Sequence, residues 1–188
     1  MIDATYSDKN VVVDILTASF DDNKSVNYIV KQDAHRQQRL RRLMSYSYDV
    51  CNNFGRVLFS QNKKACALVV FPDQKKTSLQ SILWDIKLIT GCIGIKGVSK
   101  AMSREKKIEA LQPQEPLYYL WFIGVSPEAQ HKGLGSALLT EIIQDAEKQN
   151  RTLCLETSTE KNIPWYKKHG FTIYNELDIG YRLFFFRR

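Results

Sequence analysis

Cysteine is scarce in this chain and never clustered. Cys51, Cys66, Cys92 and Cys154 stand far apart with no C-x-x-C among them, so neither a disulfide framework nor a paired-thiolate metal site is encoded. Long apolar runs are missing as well. The longest, Leu83 to Ile95, is interrupted by Asp85 and Lys87 and is too short and too charged to span a bilayer. Met1 to Thr5 begin no basic-then-apolar leader. These absences, with reduced thiols, lead us to expect a cytoplasmic protein without a membrane partner. No low-complexity linker and no internal repeat divides the 188 residues. A hydrophobic content of 44% then suffices for one sizeable core, and we expect a single domain over 1–188.

Periodicity supplies the elements. Asn10 to Phe20 has helical spacing through Val12, Ile15 and Leu16, and a longer helix is expected from Ser25 to Cys51, ended by Asn52-Asn53-Phe54-Gly55. Val57 to Phe59 and Ala65 to Phe71 read as an antiparallel hairpin turned at Gln61 to Lys64. Leu79 to Ile89 and Val98 to Leu111 look helical, and Pro113 and Pro116 precede a strand over Leu117 to Val125. Gly91, Gly94 and Gly97 mark a loop and a helix start. A helix with the stripe Leu134, Leu138, Ile142 and Ala146 follows, then strands at Thr152 to Thr157, Phe171 to Asn175 and Tyr181 to Phe186.

Between the central strand and its helix lies Gln130-His131-Lys132-Gly133-Leu134-Gly135. The first-turn amides of a helix lack intrahelical partners and carry the positive end of its dipole, so such a turn can hold a diphosphate. A Walker pattern is absent. A dinucleotide fingerprint fits less well. Leu138 occupies the third glycine position, and seven residues separate Val125 from Gly133 where that fingerprint follows its strand almost directly.

Q-x-x-G-x-G after Ile123-Gly124-Val125, the strand Thr152 to Thr157, and Asn162 followed by Tyr166, Gly170 and Phe171 together resemble the GNAT superfamily of N-acetyltransferases. Leu155-Glu156-Thr157-Ser158 with Asn162 and Tyr166 is similar, more narrowly, to the puromycin N-acetyltransferase-like branch. The resemblance covers about residues 116–188. It implies an α/β domain of the α+β type, with a mixed central sheet splayed between its fourth and fifth strands and helices on its flanks. Acetyl-CoA would lie in the splay, with residues 116–188 carrying the cofactor motifs and 1–115 the acceptor side.

Residue roles follow from the same resemblance. Gln130, His131, Lys132, Gly133, Leu134, Gly135 and Ser136 would form the phosphate turn, His131 through its backbone alone. Ile123, Gly124 and Val125 would pair with the pantetheine, Gly124 by a bulge or close approach, and the Val125 amide would polarise the thioester carbonyl. Asn162 would bond the pantetheine arm. Tyr166, a phenol protonated at neutral pH, would donate to the departing thiolate, or else be a core aromatic beside Trp165. Glu156 is the first choice of general base, against an ordinary surface or capping carboxylate. The glutamate that many members carry on the fourth strand is absent, since Tyr118, Tyr119 and Trp121 stand there and Glu115 precedes it, so another group or water also remains a candidate base.

The expected activity is transfer of an acetyl group from acetyl-CoA to a primary amine by direct nucleophilic attack. The alternative is a non-catalytic acyl-CoA-binding or regulatory protein of the same fold. The acceptor itself, whether small molecule or peptide, is not readable. The net charge of +7 suits a ligand with several phosphates. Arg36, Arg39, Arg41 and Arg42 read as a solvated helix face, and no helix-turn-helix, zinc pattern or RNA-binding motif organises them. Neither nucleic acid nor a metal is expected, and the chain would be a monomer or homodimer.

Overall fold

Val12, Val13, Ile15 and Leu16 bury one side of helix α1 (Lys9–Ser19), which follows a two-residue strand β1 (Ile2–Asp3). The computed structural model describes all 188 residues. Helices α2 (Lys24–Ile29) and α3 (Arg36–Phe54) come next, then the hairpin β2 (Gly55–Phe59) and β3 (Ala65–Val70). An excursion of two helices, α4 (Leu79–Leu88) and α5 (Val98–Glu109), precedes β4 (Leu117–Val125). A single π-turn at Ile89–Ile93 closes α4, and Gly94 follows at a φ of 75°. The chain ends with α6 (Leu134–Lys148), β5 (Thr152–Thr157), α7 (Ile163–Lys168), β6 (Thr172–Asp178) and β7 (Arg182–Arg187). No helix is long and apolar enough to cross a membrane.

The helix expected over Ser25 to Cys51 is two helices. Val30 leaves α2 in extended backbone. Asp33 then accepts from the backbone N–H of His35 through its side chain (3.0 Å) and from that of Arg36 through its carbonyl (2.9 Å), which starts α3 afresh. The expected solvated arginine face holds for Arg41 and Arg42, which are exposed, and is corrected for Arg36 and Arg39, which are half-buried. Arg36 reaches Asp21 (2.6 Å), Arg39 reaches Asp33 (2.8 Å), Arg42 donates to the Gly91 carbonyl (3.1 Å), and Arg41 pairs with Asp14. These side chains tie α3 to α1 and to the loops around it.

The strands form one mixed sheet in the order β1-β2-β3-β4-β5-β7-β6. Neighbours are antiparallel except β4 and β5, which run parallel. One face is covered by α1 and α3 through Leu16, Leu40, Met44 and Tyr48 packed on Phe59, Leu68 and Phe122. The other is covered by α6 and α7 through Leu138, Ile142 and Tyr166 on Leu58, Leu120 and Phe186. Each such side chain contributes about 1.5–3 kcal/mol on full burial.

Two irregularities in β4 shape everything near it. Opposite β3, Leu68 faces Phe122 while Val69 faces Leu120, so Trp121 is an extra residue in a bulge. Trp121 and Phe122 therefore both lie on the α1/α3 face, and the alternation resumes out of phase with Ile123 and Val125 on the α6 face. The second irregularity is the end of pairing with β5. Leu117, Tyr118 and Tyr119 pair with Thr152, Leu153 and Cys154, and no residue beyond them does. The sheet is splayed between its fourth and fifth strands.

Leu138, 1% exposed, fixes α6 against the sheet. Leu138→Ala is expected to lower stability by about 2–5 kcal/mol through a core cavity, read from the midpoint of urea unfolding.

Candidate active site

Where β4 and β5 part, a cleft of about 710 Å³ opens between the sheet halves. Its floor on the β4 side is main chain. Ser126 donates its N–H to the Lys64 carbonyl (2.8 Å), so strand alternation turns the N–H and C=O of Ile123 and Val125 the other way, toward the missing β5 partner. The Val125 carbonyl accepts from Ser19 Oγ (3.0 Å) and from Gln130 Nε2 (3.2 Å), while no protein group is bonded to its N–H.

Of the two expectations for Gly124, a bulge and a close approach, the structure shows the second, made by α1. Gly124 pairs regularly with Cys66, and the bulge lies at Trp121 instead. A Cβ on Gly124 would stand 2.9 Å from Ser19 Oγ and 3.0 Å from Leu16 Cδ2. This glycine therefore lets α1 close onto the strand, which in turn brings Ser19 to the Val125 carbonyl.

The turn into α6 forms the second wall. His131 and Gly133 both have positive φ, 62° and 78°. A Cβ on Gly133 would meet no atom within 4 Å, so glycine is required there by the dihedral alone, at about 1–2 kcal/mol for any other residue. The first bond inside the helix runs from Ala137 N–H to the Gly133 carbonyl (3.0 Å). The amides of Leu134, Gly135 and Ser136 thus have no intrahelical partner. Gln130, His131, Gly133, Leu134, Gly135 and Ser136 all line the cleft. Lys132 does not line it, because its ammonium donates to the Glu128 carbonyl (2.8 Å). Across the mouth, Trp165 Nε1 donates to Ser136 Oγ (2.8 Å) and fixes α7 to the start of α6.

The deep end holds the ionisable groups. Glu156 sits on β5 opposite Phe185 of β7 and faces the cleft. Burial pushes its carboxyl up from 4.5 to about 7, against the opposing pull of a hydrogen bond from the Tyr119 hydroxyl and the charge of Arg104. Tyr119 is itself driven well above the usual phenol range by burial and by Glu156, so it stays protonated and donates. An ordinary surface carboxylate would show neither feature. Arg104 of α5 donates to the Tyr181 hydroxyl (3.0 Å) and to Ser25 Oγ (2.6 Å), and pairs with Glu105. Asn162 and Tyr166 line the same cleft. Burial raises the Tyr166 phenol, and no protein group bonds its hydroxyl.

Sequence reasoning singled out neither Tyr119 nor Arg104 for a role. Tyr119 was accessible in principle, since strand alternation separates it from Tyr118, whose hydroxyl turns to Asp145 (2.7 Å) on the α6 side. Arg104 carried no local signal. Glu115, considered as a base, accepts from Thr152 Oγ1 (3.1 Å) and lies outside the cleft.

With this geometry in hand, similarity to known proteins is informative. Residues 82–173 match the family model described as the acetyltransferase (GNAT) domain. The chain is similar in structure to histone acetyltransferase HPA2 and related acetyltransferase from Corynebacterium glutamicum, at 18% identity and a TM-score of 0.69, over 98% of this chain and 93% of that one. It is similar to arylalkylamine N-acetyltransferase 2 from Aedes aegypti at 12% identity and a TM-score of 0.66, over 100% and 96%. A third likeness, to the ribosomal-protein-S18-alanine N-acetyltransferase of Escherichia coli, has 16% identity and a TM-score of 0.53, over 99% and 90%. At these identities the likeness is one of fold, and the fold is that of the GNAT acetyltransferases. A probable serine/threonine-protein kinase of Dictyostelium discoideum is 32% identical over 80 residues, which are 42% of this chain; the chain spans 8% of that protein's length.

A carboxyl whose folded pKa exceeds its unfolded one holds its proton longer in the native state, so ionising it removes native stability as pH rises. For Glu156 the window runs from about 4.5 to about 7. Stability of the wild type relative to Glu156→Gln should fall across that window and level off above it. Urea unfolding of both proteins over a pH series measures this, and a flat difference would remove the buried ionisation.

Proposed function

We propose that this chain is an acetyl-CoA-dependent N-acetyltransferase that moves the acetyl group to a primary amine by direct attack, with no acetyl-enzyme. The observation that carries the reading is Glu156. It is a carboxyl poised near neutrality by burial, facing the gap where β4 and β5 separate, with Tyr166 in the same cleft. The puromycin N-acetyltransferase-like branch is the sub-family we favour, on the spacing of Glu156, Asn162 and Tyr166. The four cysteines are free and buried, which supports a cytoplasmic setting.

The cleft suits acetyl-CoA on two structural counts. Space above Gly133 is open, and the amides behind it are free for phosphate oxygens. The strand edge at Ile123 and Val125 is unpaired on the β5 side, as an added extended arm requires. Gln130, Gly133, Leu134, Gly135 and Ser136 would hold the phosphates, and Ile123, Val125 and Asn162 the pantetheine. When bound, acetyl-CoA supplies an activated acyl thioester.

The chain's own groups divide the remaining work. A lysine-like amine is neutral in only about one molecule in two thousand at pH 7, and Glu156 accepts the proton that must leave it. Tyr119 holds the carboxylate through its hydroxyl, which keeps that pKa from rising further. The free N–H of Val125 points into the gap and donates to oxygen charge that develops there. Tyr166, protonated across the working range, donates to the leaving sulfur. The non-catalytic alternative drew its weight from the missing fourth-strand glutamate, and Glu156 with Tyr119 supplies that carboxylate from the neighbouring strand.

Four substitutions test the reading. With acetyl-CoA and a panel of amines, free-thiol release should rise with pH through about 7; Glu156→Gln should remove that limb and about 10²–10⁴-fold of rate. Tyr119→Phe, which deletes a bond that lowers the Glu156 pKa, should move the limb to higher pH, and an unmoved limb would assign the base elsewhere. Gly133→Val should weaken acetyl-CoA binding by about tenfold or more through its positive φ, while Tyr166→Phe should lower turnover and leave that affinity in place, both read by calorimetry alongside the rate assay.

A further inference from the structure

The chain exposes eight large hydrophobic side chains, and six of them fall between Leu79 and Met102. Four of these, Leu79, Ile82, Leu83 and Ile86, are at i, i+3, i+4 and i+7 of α4 and so form one stripe. The helix is apolar on both sides. Trp84 and Leu88 pack inward against the α1/α3 core, while the outer stripe faces solvent, with Leu79 84% exposed. Just beyond the π-turn, Ile95 is 83% exposed. An apolar face of this kind on an otherwise well-packed protein marks a contact surface.

The charges around the stripe identify what it contacts. Lys75 and Lys76 lead into α4, Lys87 lies one turn beyond Leu83, and Lys96 follows Ile95. All four are exposed and none is in an ion pair. Both acids of the segment are engaged by other groups of the protein. Asp73 pairs with Arg151 (2.7 Å) and Asp85 accepts from the Tyr46 hydroxyl (2.8 Å). The charges left unengaged around the stripe are therefore all cationic. A second copy stacked stripe to stripe would bring these lysines against their own mates across the two-fold axis. A lipid surface bearing anionic headgroups complements both features at once.

We propose that α4 lies in the plane of an anionic membrane surface, with Leu79, Ile82, Leu83 and Ile86 in the headgroup and acyl boundary and Lys75, Lys76, Lys87 and Lys96 on the headgroups. Asp85 and Lys87, which rule out a spanning segment, are compatible with this arrangement because one is held by the Tyr46 hydroxyl and the other sits at the rim. This departs from the expectation of no membrane partner, which was drawn from the lack of a spanning segment. The surface is separate from the proposed catalytic cleft, none of whose wall is formed by α4.

Flotation of the full chain with vesicles tests the assignment. Vesicles of phosphatidylcholine with phosphatidylserine should carry the protein, and phosphatidylcholine alone should not. Raised salt should weaken the association. Ile82→Glu with Leu83→Glu should reduce it at least tenfold, and so should Lys75→Ala, Lys76→Ala, Lys87→Ala and Lys96→Ala together, with the thermal unfolding midpoint unchanged because every altered side chain is exposed. No association, or equal association with neutral vesicles, overturns the proposal. So does a concentration-dependent dimer, seen by sedimentation velocity, that Ile82→Glu with Leu83→Glu dissociates, since a second copy would then own the stripe.

Discussion

Two parallel strands that begin paired and then separate leave main-chain donors and acceptors with nowhere to go inside the protein. Here β4 and β5 hold together from Leu117 to Tyr119 and then part, and the groups of Ile123 and Val125 turn into the gap. Buried main-chain groups left unpaired carry a cost, so the gap persists only because its edges are held. Ser19 and Gln130 satisfy the Val125 carbonyl. On the other side, β7 pairs with β5 over Cys154 to Thr157 and keeps it from falling back. The bulge at Trp121 adds local bend and twist to β4 where the separation starts. The cleft, the open α6 turn and the sunken carboxylate all depend on that separation.

Burial and hydrogen bonding act on Glu156 in opposite directions, and their balance sets its chemistry. Desolvation alone would carry the carboxyl further upward, while Tyr119 and Arg104 bring it back to about 7. Arg104 reaches this position on α5, which belongs to the excursion between β3 and β4. Its guanidinium also binds Tyr181 beside β7 and Ser25 on α2. One side chain thus joins three elements around the deep end of the cleft. The same excursion is bonded to the body through Tyr46 and Asp85 and through Asp73 and Arg151, contacts that engage these two acids while the lysines beside them stay without an ion pair.

Much of this was legible in the chain. The strand Leu117 to Val125, the helix behind Leu134 and the hairpin around Gln61 to Lys64 follow from local periodicity and turn chemistry, and the structure places them there. The break between α2 and α3 falls where the apolar spacing lapses, between Val30 and Leu40, and Asp33 interrupts the helix there by bonding to nearby backbone. Arg36 of α3 reads as solvated in the sequence because its partner Asp21 lies outside its helix, fifteen residues earlier. Gly124 was read through a ligand, yet it is Ser19, more than a hundred residues earlier, that needs the space.

What the sequence determined by itself is therefore the local part: which segments are strands and helices, and that a glycine-containing turn opens α6 with unsatisfied amides. Those depend on side-chain spacing and backbone preference within a few residues. Only the tertiary structure decided which groups share the cleft, because Tyr119, Arg104, Glu156 and Tyr166 lie on four elements brought together by sheet order and one interrupted strand pair. The pKa of Glu156 belongs to the same category. Desolvation and neighbouring charge are properties of a place, and that place exists only once β4 and β5 have paired and parted.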